Sequence, residues 1–213
     1  SASVAVVGAG GIGSAVIPAL AGSGIGRLTI IDSDVVEVGN LHRQPLFTEA
    51  DAGKPKAKLA ADFVTRLNRF VEVSPRQERI GADNARQILG GHDLVIDGSD
   101  NFATRLAVSD ACVAGGIPLL SAAAAQFQGQ VGLFRRRPCY RCFVGDAFDT
   151  DDCDNCAELG VLGALTATVG SFAALLAINA IAAVGEVESG QLHLFDGERM
   201  SWRAIRIPPN PEC

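Results

Sequence analysis

The stretch Val4-Ala5-Val6-Val7-Gly8-Ala9-Gly10-Gly11-Ile12-Gly13 decides the fold, because a short apolar run leads directly into a glycine-rich turn. Four consecutive apolar residues, 4–7, predict a buried parallel strand. The turn contains Gly8, Gly10, Gly11 and Gly13. These glycines let the backbone turn sharply and bring N–H groups close to a phosphate at the start of the next helix.

A second apolar run, residues 28–31, ends in Asp32, which follows Gly13 by 19 residues. A carboxylate at this distance from the last glycine can accept hydrogen bonds from the hydroxyl groups of a ribose. The glycine turn and Asp32 together predict a site for an adenine nucleotide. They do not distinguish NAD or FAD from ATP.

Strands and helices alternate over the first 120 residues. The predicted strands are 4–7, 28–31, 71–74, 93–96 and 117–120, and the predicted helices are 12–21, 56–69, 84–89 and 104–114. Repeated strand–helix–strand units predict right-handed crossovers and a doubly wound, mostly parallel α/β sheet of the Rossmann type. After Ser121 the pattern changes, and strands at 129–134, 191–195 and 201–207 predict an antiparallel C-terminal extension of the same domain.

The composition is typical of a globular protein with a large core, since 48% of the 213 residues are hydrophobic and 20% are charged. A net charge of −6 argues against a nucleic-acid partner, because phosphate binding needs a basic surface. The sequence shows no basic segment followed by an apolar run of the kind that directs secretion. We therefore expect a cytoplasmic protein.

Residues 159–185 raise the question of a membrane, because these 27 residues contain no charged side chain. A run of that length could cross a bilayer. Its many glycines, threonines and alanines, and the flanking Glu158 and Glu186, are more typical of a helix buried in a core or a subunit interface. We predict such a helix at 162–184 and no membrane span.

A 21-residue loop, 33–53, separates Asp32 from the next predicted helix, and loops of that length in compact domains are usually functional. It carries Asn40, Arg43 and Gln44, and Lys56 follows it closely. Arg43 and Lys56 could neutralise a triphosphate, or the charge that develops as pyrophosphate leaves. The alternative is that both are solvated surface cations.

Asp100 and Asn101 follow the predicted strand that ends next to Asp97. Ligands in open α/β sheets bind beyond the carboxyl ends of the strands, so this pair faces the same crevice as the glycine turn. Asp100 could hold Mg²⁺ against phosphate oxygens. It could equally cap the helix that follows it.

Several short motifs occur in the order in which one family carries them. They are the glycine turn, Asp32, Asn40-Leu41-His42-Arg43-Gln44, Gly53-Lys54-Pro55-Lys56, Asp100-Asn101, Pro138-Cys139-Tyr140-Arg141-Cys142 and Asn210-Pro211-Glu212-Cys213. On these motifs the chain resembles the ThiF/MoeB/HesA adenylyltransferases, relatives of the ubiquitin-activating enzymes, over nearly its whole length. The resemblance implies a homodimer that uses ATP to adenylate the C-terminal glycine carboxylate of a ubiquitin-like sulfur-carrier protein and releases pyrophosphate.

The resemblance also implies roles within the ATP site. Gly11 and Asp32 would contact the adenosine, with Asp32 on the ribose. Asn40, Arg43 and Lys56 would act on the phosphates and the transition state, and Asp100 would hold Mg²⁺. The other members of the site would be Gly8, Gly10, Gly13, Gln44 and Asn101. Adenylation is attack by an already ionised carboxylate, which needs positioning and charge stabilisation rather than a general base.

Six cysteines in a chain without secretory features indicate metal or thiol chemistry. Cys139 and Cys142 form one C-x-x-C pair and Cys153 and Cys156 form a second, which is the ligand pattern of a local tetrahedral zinc site. The resemblance implies a different zinc site, in which Cys213 and a fourth ligand beyond it join Cys139 and Cys142. It also makes Cys156 a candidate reactive thiol with a catalytic role.

Within one domain of this family, residues 1–121 would bind the nucleotide and residues 122–213 the zinc and the carrier. The zinc pair favours the MoeB-like branch, with the carrier serving molybdopterin or thiamine synthesis. A nicotinamide-dependent oxidoreductase, resting on the glycine turn and Asp32, is one alternative. A non-catalytic module that binds a nucleotide and a partner protein is another, because family members use an arginine upstream of the first strand and the sequence begins three residues before it.

Overall fold

The computed structural model describes residues 2–145, 160–211 and 213. The strands are β1 Ser3–Val7, β2 Arg27–Ile31, β3 Glu72–Arg76, β4 Leu94–Asp97, β5 Leu119–Ala125, β6 Gln128–Phe134, β7 Gln191–Asp196 and β8 Ser201–Arg206. The helices are α1 Gly13–Gly22, α2 Lys56–Leu67, α3 Ala85–Leu89, α4 Phe102–Gly115, α5 Tyr140–Val144 and α6 Gly163–Ala182. Within the described residues the strands form one eight-stranded sheet in the order β3-β2-β1-β4-β5-β6-β7-β8.

Five neighbouring strands of this sheet are parallel. β1 lies between β2 and β4, β3 pairs with β2, and β5 pairs with β4. Every residue of β1 and β4 is buried, as near-continuous apolar runs predict for strands covered on both faces. α1, α2 and α6 pack on one face, and α3 and α4 pack on the other. The doubly wound parallel sheet predicted from the sequence is confirmed.

The antiparallel C-terminal extension is also confirmed. β6, β7 and β8 each pair antiparallel with the strand before them. The predicted strand 117–120 was too short, because β5 continues through Ser121 to Ala125. The alanines at 122–125 have a low propensity for strands, but each lies opposite a residue of β6. Pairing with β6, rather than local preference, therefore sets their conformation.

Several element boundaries differ from the sequence prediction. α2 ends at Leu67 rather than at residue 69, and α4 begins at Phe102 rather than at residue 104. The predicted loop 33–53 contains two 3₁₀ turns, Val38–Asn40 and Glu49–Asp51. The sequence predicts no helix where α5 forms, because a single helical turn is too short for a periodic pattern.

α6 confirms the predicted long apolar helix. Among the described residues it is the one helix long and apolar enough to cross a membrane, but Leu165 and Val169 lie in the core beneath the sheet. Gly170 permits its close approach to α1, since a Cβ there would lie 2.7 Å from Ile12 O and 2.9 Å from Ala15 Cβ. α6 therefore packs beside the glycine turn.

Candidate active site

A cleft of about 900 Å³ opens at the carboxyl ends of β1, β2 and β4. Most of the predicted site residues line it, namely Gly8, Gly10, Gly11, Asp32, Arg43, Gln44, Lys56, Asp100 and Asn101. Gly13 and Asn40 are not among the lining residues. The cleft continues along the sheet to Gln130 on β6 and Leu194 on β7. The tertiary fold therefore brings motifs from distant parts of the sequence to one site.

The glycine turn connects the carboxyl end of β1 to the start of α1. Gly8 has a φ of +91°, which favours glycine, and its N–H donates to Ile31 O at 2.8 Å. A Cβ at Gly13 would lie 2.2 Å from Gly8 O, so glycine is needed there for the helix to start against the strand. Ile12 provides no side-chain cap, and the first turn of α1 is therefore suited to an anion.

Asp32 is held at the end of β2 by two backbone hydrogen bonds. Ala9 N donates to Oδ2 at 2.7 Å, and Asp34 N donates to Oδ1 at 2.8 Å. Burial raises the pKa of the Asp32 carboxyl, while these two N–H donors and the charge of Lys56 oppose the increase. Each carboxylate oxygen has a further lone pair, so a ribose can hydrogen-bond to this residue.

The long loop after β2 returns to bring Lys56 beside Asp34. Lys56 N donates to Asp34 O at 3.0 Å, and Val36 N donates to Lys54 O at 2.9 Å, so the base of the loop is closed by backbone pairing. Lys56 is only 4% exposed, and its Nζ lies 3.2 Å from Asp34 Oδ2. The alternative of a solvated surface cation is therefore wrong for Lys56.

Arg43 reaches the cleft from the same loop. Its Nη1 lies 3.3 Å from His42 Nε2, and His42 Nδ1 lies 2.9 Å from Gly39 O. α6 begins directly against this segment, since a Cβ at Gly163 would lie 2.1 Å from His42 O. Arg43 is half-buried. The loop therefore presents Arg43 from a backbone that α6 supports.

Gln44 and Asn40 are placed differently from each other. Gln44 is buried, and its Nε2 lies 3.7 Å from the position of a Cβ on Gly10. Asn40 donates from Nδ2 to Glu37 Oε2 at 3.0 Å and lies outside the lining of the cleft. The structure thus brings Gln44, but not Asn40, to the glycine turn.

The segment after β4 carries Asp100 to the cleft. Asn101 is the N-cap of α4, because its side chain accepts a hydrogen bond from Thr104 N at 2.9 Å. The alternative that Asp100 caps this helix is therefore wrong. Asp100 is exposed and lines the cleft, a position that supports the interpretation of its carboxylate as a ligand for Mg²⁺.

The cleft is also lined by charged residues that the sequence did not identify as site residues, among them Glu78, Arg79, Arg105 and Arg203. Arg203 lies on β8, far along the chain from the glycine turn, and no local pattern points to it. Arg105 follows Asn101 by one helical turn, a spacing that could have indicated a place near the site.

Three cysteines meet where residue 213 returns to α5. Cys139 Sγ lies 3.8 Å from Cys142 Sγ and 3.4 Å from Cys213 Sγ, and all three sulfur atoms lie within 4.8 Å of one another. Tetrahedral zinc, with Zn–S distances of about 2.3 Å, places its sulfur ligands about 3.8 Å apart, so this arrangement fits zinc. Burial opposes ionisation of Cys142, but hydrogen bonds, first that from Asn210 N at 3.4 Å, lower the pKa of its thiol.

The second C-x-x-C pair, Cys153 and Cys156, lies outside the described residues. The local four-cysteine zinc site and the reactive thiol at Cys156 therefore stay predictions. Cys112 is buried on α4, and burial raises the pKa of its thiol to about 12. A thiol with that pKa is unreactive at neutral pH.

Comparisons with known proteins match one family and several named enzymes. The ThiF family matches residues 1–213. The chain is 41% identical over 214 residues to the SAMP-activating enzyme E1 of Haloferax volcanii, covering 100% of this chain and 79% of that protein. It is 42% identical over 219 residues to the sulfur carrier protein adenylyltransferase of Thermus thermophilus, covering 100% of this chain and 81% of that protein.

Among solved structures, E. coli MccB with ATP has a TM-score of 0.88 to this chain at 24% sequence identity. The match covers 100% of this chain and 65% of the MccB chain. E. coli MccB with MccA-N7isoASN has a TM-score of 0.87 at 23% identity, covering 100% of this chain and 66% of that chain. At this level of identity the likeness establishes a shared fold.

Proposed function

This chain belongs to the ThiF family and is an adenylyltransferase, and we propose that its acceptor is the C-terminal glycine carboxylate of a ubiquitin-like sulfur-carrier protein. The reaction would form the carrier acyl-adenylate from ATP and release pyrophosphate. The observation that carries this proposal is that Arg43 and Lys56 line one cleft with the glycine turn and Asp32. Hydride transfer would require the glycine turn and Asp32 but not these two cations.

The glycine turn and Asp32 would bind the nucleotide. Asp32 would accept hydrogen bonds from the ribose through the two oxygens that Ala9 N and Asp34 N orient. N–H groups at the start of α1 would face the phosphates, where the helix dipole also favours negative charge. ATP would therefore lie across the carboxyl ends of β1 and β2.

The bond changes need charge stabilisation more than proton transfer. An oxygen of the carrier carboxylate would attack the α-phosphorus, and the bond from that phosphorus to the oxygen that bridges to the β-phosphate would break. The electron pair of that bond would leave with pyrophosphate. Arg43 and Lys56, which line the cleft, would stabilise the negative charge that builds on these phosphates. The nucleophile is already ionised, so the step needs no general base.

Two metal ions belong to the proposal. Mg²⁺, held by Asp100, would neutralise phosphate charge when bound. Zn²⁺, held by Cys139, Cys142 and Cys213 with a fourth ligand, would be structural and would tie residue 213 to α5. The exposure of Asp100 in the cleft and the spacing of the three sulfur atoms support these assignments.

The partners are proposed from the relatives and from the surface of α6. The Thermus relative is named a sulfur carrier protein adenylyltransferase, which supports a sulfur-carrier protein as the acceptor. We propose that this carrier is MoaD- or ThiS-like and serves molybdopterin or thiamine synthesis. Leu162, Leu175 and Val184 are each more than half exposed on or beside α6. These apolar side chains support a homodimer with α6 near its interface. Residues 1–121 would bind the nucleotide, and 122–213 the carrier and zinc.

Exchange between ATP and labelled pyrophosphate tests the proposal. In the presence of Mg²⁺, exchange should depend on a carrier that ends in Gly-Gly. Lys56→Ala should lower the exchange rate by about 100-fold, the size of effect found when one group that stabilises transition-state charge is removed. Lys58→Ala is the matched control. Lys58 lies on the same helix but is 69% exposed and paired with Asp62, so the rate should change by less than about twofold.

Three results would contradict the proposal. ATP–pyrophosphate exchange without the carrier would show that the carrier carboxylate is not the acceptor. An unchanged rate in Lys56→Ala would remove Lys56 from the site. Tight binding of NADH without binding of ATP would favour the oxidoreductase alternative.

A further inference from the structure

Asp97 and Arg105 hold both backbone polar groups of Ser99. Asp97 Oδ1 accepts a hydrogen bond from Ser99 N at 3.0 Å, and Arg105 Nη2 donates to Ser99 O. Asp97 is only 1% exposed and Arg105 only 7% exposed. Ser99 immediately precedes Asp100, so these contacts fix the residue from which the chain continues to the proposed Mg²⁺ ligand.

The two side chains are a carboxyl and a guanidinium, both almost completely buried. Burial raises the pKa of the Asp97 carboxyl, and the charge of Arg105 and the hydrogen bond from Ser99 N oppose this increase.

The turn 98–101 is also packed against the glycine turn. A Cβ at Gly8 would lie 3.1 Å from Gly98 O, and a Cβ at Gly98 would lie 2.9 Å from Ile12 Cγ2. The cap formed by Asn101 holds the other end of the turn. The backbone on either side of Asp100 is therefore fixed, while Asp100 itself is exposed to the cleft.

We propose that Asp97 and Arg105 are positioning residues for Asp100. By holding the N–H and C=O groups of Ser99, they set the direction in which Asp100 extends into the cleft. They thereby set the Mg²⁺ concentration at which the enzyme works. This inference rests on the proposed function, in which Asp100 holds Mg²⁺ beside the phosphates.

The first test measures the rate of carrier-dependent ATP–pyrophosphate exchange at varied Mg²⁺ concentration. The variants compared are Arg105→Gln, Asp97→Asn and Ser109→Ala. Arg105→Gln should raise the Mg²⁺ concentration for half-maximal rate about tenfold or more, since loss of a group that orients a metal ligand has an effect of this size. Asp97→Asn should raise it less, because the amide oxygen can still accept from Ser99 N. A loss of rate that is equal at every Mg²⁺ concentration would overturn the proposal.

Ser109→Ala is the matched control for disturbance of the helix. Ser109 lies one turn after Arg105 on α4 and is 1% exposed, and its hydroxyl has no hydrogen-bond partner among the described residues. Its removal should leave the Mg²⁺ requirement unchanged. The positioning role would be overturned if Ser109→Ala raised the Mg²⁺ concentration for half-maximal rate as much as Arg105→Gln does.

A double-mutant cycle separates action through Asp100 from direct action on the phosphates. If Arg105 acts through Asp100, adding Arg105→Gln to Asp100→Asn should lower the rate by less than about twofold further. A further loss of about tenfold would mean that Arg105 acts on its own, which would overturn the proposal.

Hydrogen exchange provides a readout that needs no catalysis. Without substrates or Mg²⁺, the Ser99 amide should exchange about tenfold faster in Arg105→Gln than in Ser109→Ala, because the turn opens more often. Arg105→Lys keeps the positive charge and replaces Arg105→Gln in this experiment if that variant does not fold. The hydrogen-exchange rate of the Ser99 amide should increase less in Arg105→Lys than in Arg105→Gln. The positioning role would be overturned if the Ser99 amide hydrogen exchanged at the same rate in a folded Arg105 variant as in Ser109→Ala. Failure of carrier adenylation itself would instead show as absent exchange of pyrophosphate in the wild type.

Discussion

Lys56 and Lys58 lie two residues apart on α2, yet their surroundings differ completely. Lys56 is buried and faces Asp34 at the base of the long loop, whereas Lys58 is exposed and pairs with Asp62 along the helix. A buried ammonium needs a partner for its charge, and a phosphate could serve as one. Burial, rather than residue type, therefore separates a candidate catalytic lysine from a surface lysine.

Gly13→Ala should destabilise the fold by about 2 kcal/mol and weaken ATP binding. The new Cβ would lie 2.2 Å from the carbonyl oxygen of Gly8, a backbone atom that cannot move without disturbing β1. Urea unfolding measures the change in stability. Gly22→Ala is the control, since Gly22 is the last residue of the same helix and a Cβ there meets nothing within 4 Å. Equal destabilisation by both substitutions would contradict the steric explanation.

At the scale of single residues, the sequence predicted the glycine turn and Asp32 from local spacing. It grouped Gly13 and Asn40 with the nucleotide contacts, but neither lines the cleft. Gly13 permits close packing of α1 on β1, and Asn40 pairs with Glu37. A spacing motif shows which residues occur together, but the contacts of each residue show what it does.

At the scale of elements, contacts between elements decide what local preference leaves open. The sequence predicted a helix at 162–184 from its apolar run, and α6 forms within that range. The run does not reveal that Gly163 meets the Arg43 loop or that Gly170 meets α1. Those contacts depend on residues far from α6 in the chain, so they could not be predicted from its own pattern.

The packing of β7 against α6 should make stability depend on pH. His193 on β7 lies against Phe172 of α6, with ring centroids 5.0 Å apart, and burial lowers the pKa of the His193 ring. The folded state therefore favours the neutral ring. As pH falls below the ordinary pKa of 6.5, the unfolded chain takes up this proton first, and the stability that the neutral ring contributes is lost.

Urea unfolding at pH values of about 7.5 and 5 tests this dependence. The free energy of unfolding should decrease more in the wild type than in His193→Gln, which has no titrating ring. The difference should be modest because His193 is partly exposed to solvent. Equal decreases in the two proteins would show that His193 does not contribute.

At the scale of the whole molecule, the cysteine cluster joins residue 213 to α5. Purified protein should contain about one zinc ion per chain, and Cys139→Ser or Cys213→Ser should lose it and unfold at a lower temperature. Cys112→Ala is the control, because Cys112 is buried on α4 outside the cluster. Metal analysis measures the zinc. Zinc retained in Cys213→Ser but lost in Cys153→Ser would support the local four-cysteine site instead.

The sequence by itself determined the order of strands and helices, the glycine turn with Asp32, and the loop that carries Arg43. These follow from apolar runs, glycines and spacings, which are signals within short stretches of chain. Only the tertiary structure decided that Lys56 is buried beside Asp34, that Asn101 rather than Asp100 caps α4, and that Cys213 meets Cys139. The burial of Lys56 and the contact between Cys213 and Cys139 depend on residues brought together from distant parts of the chain, which no local pattern encodes. The Asn101 cap is a local contact with Thr104, but Asp and Asn are both good N-cap residues, so the local sequence does not choose between Asp100 and Asn101.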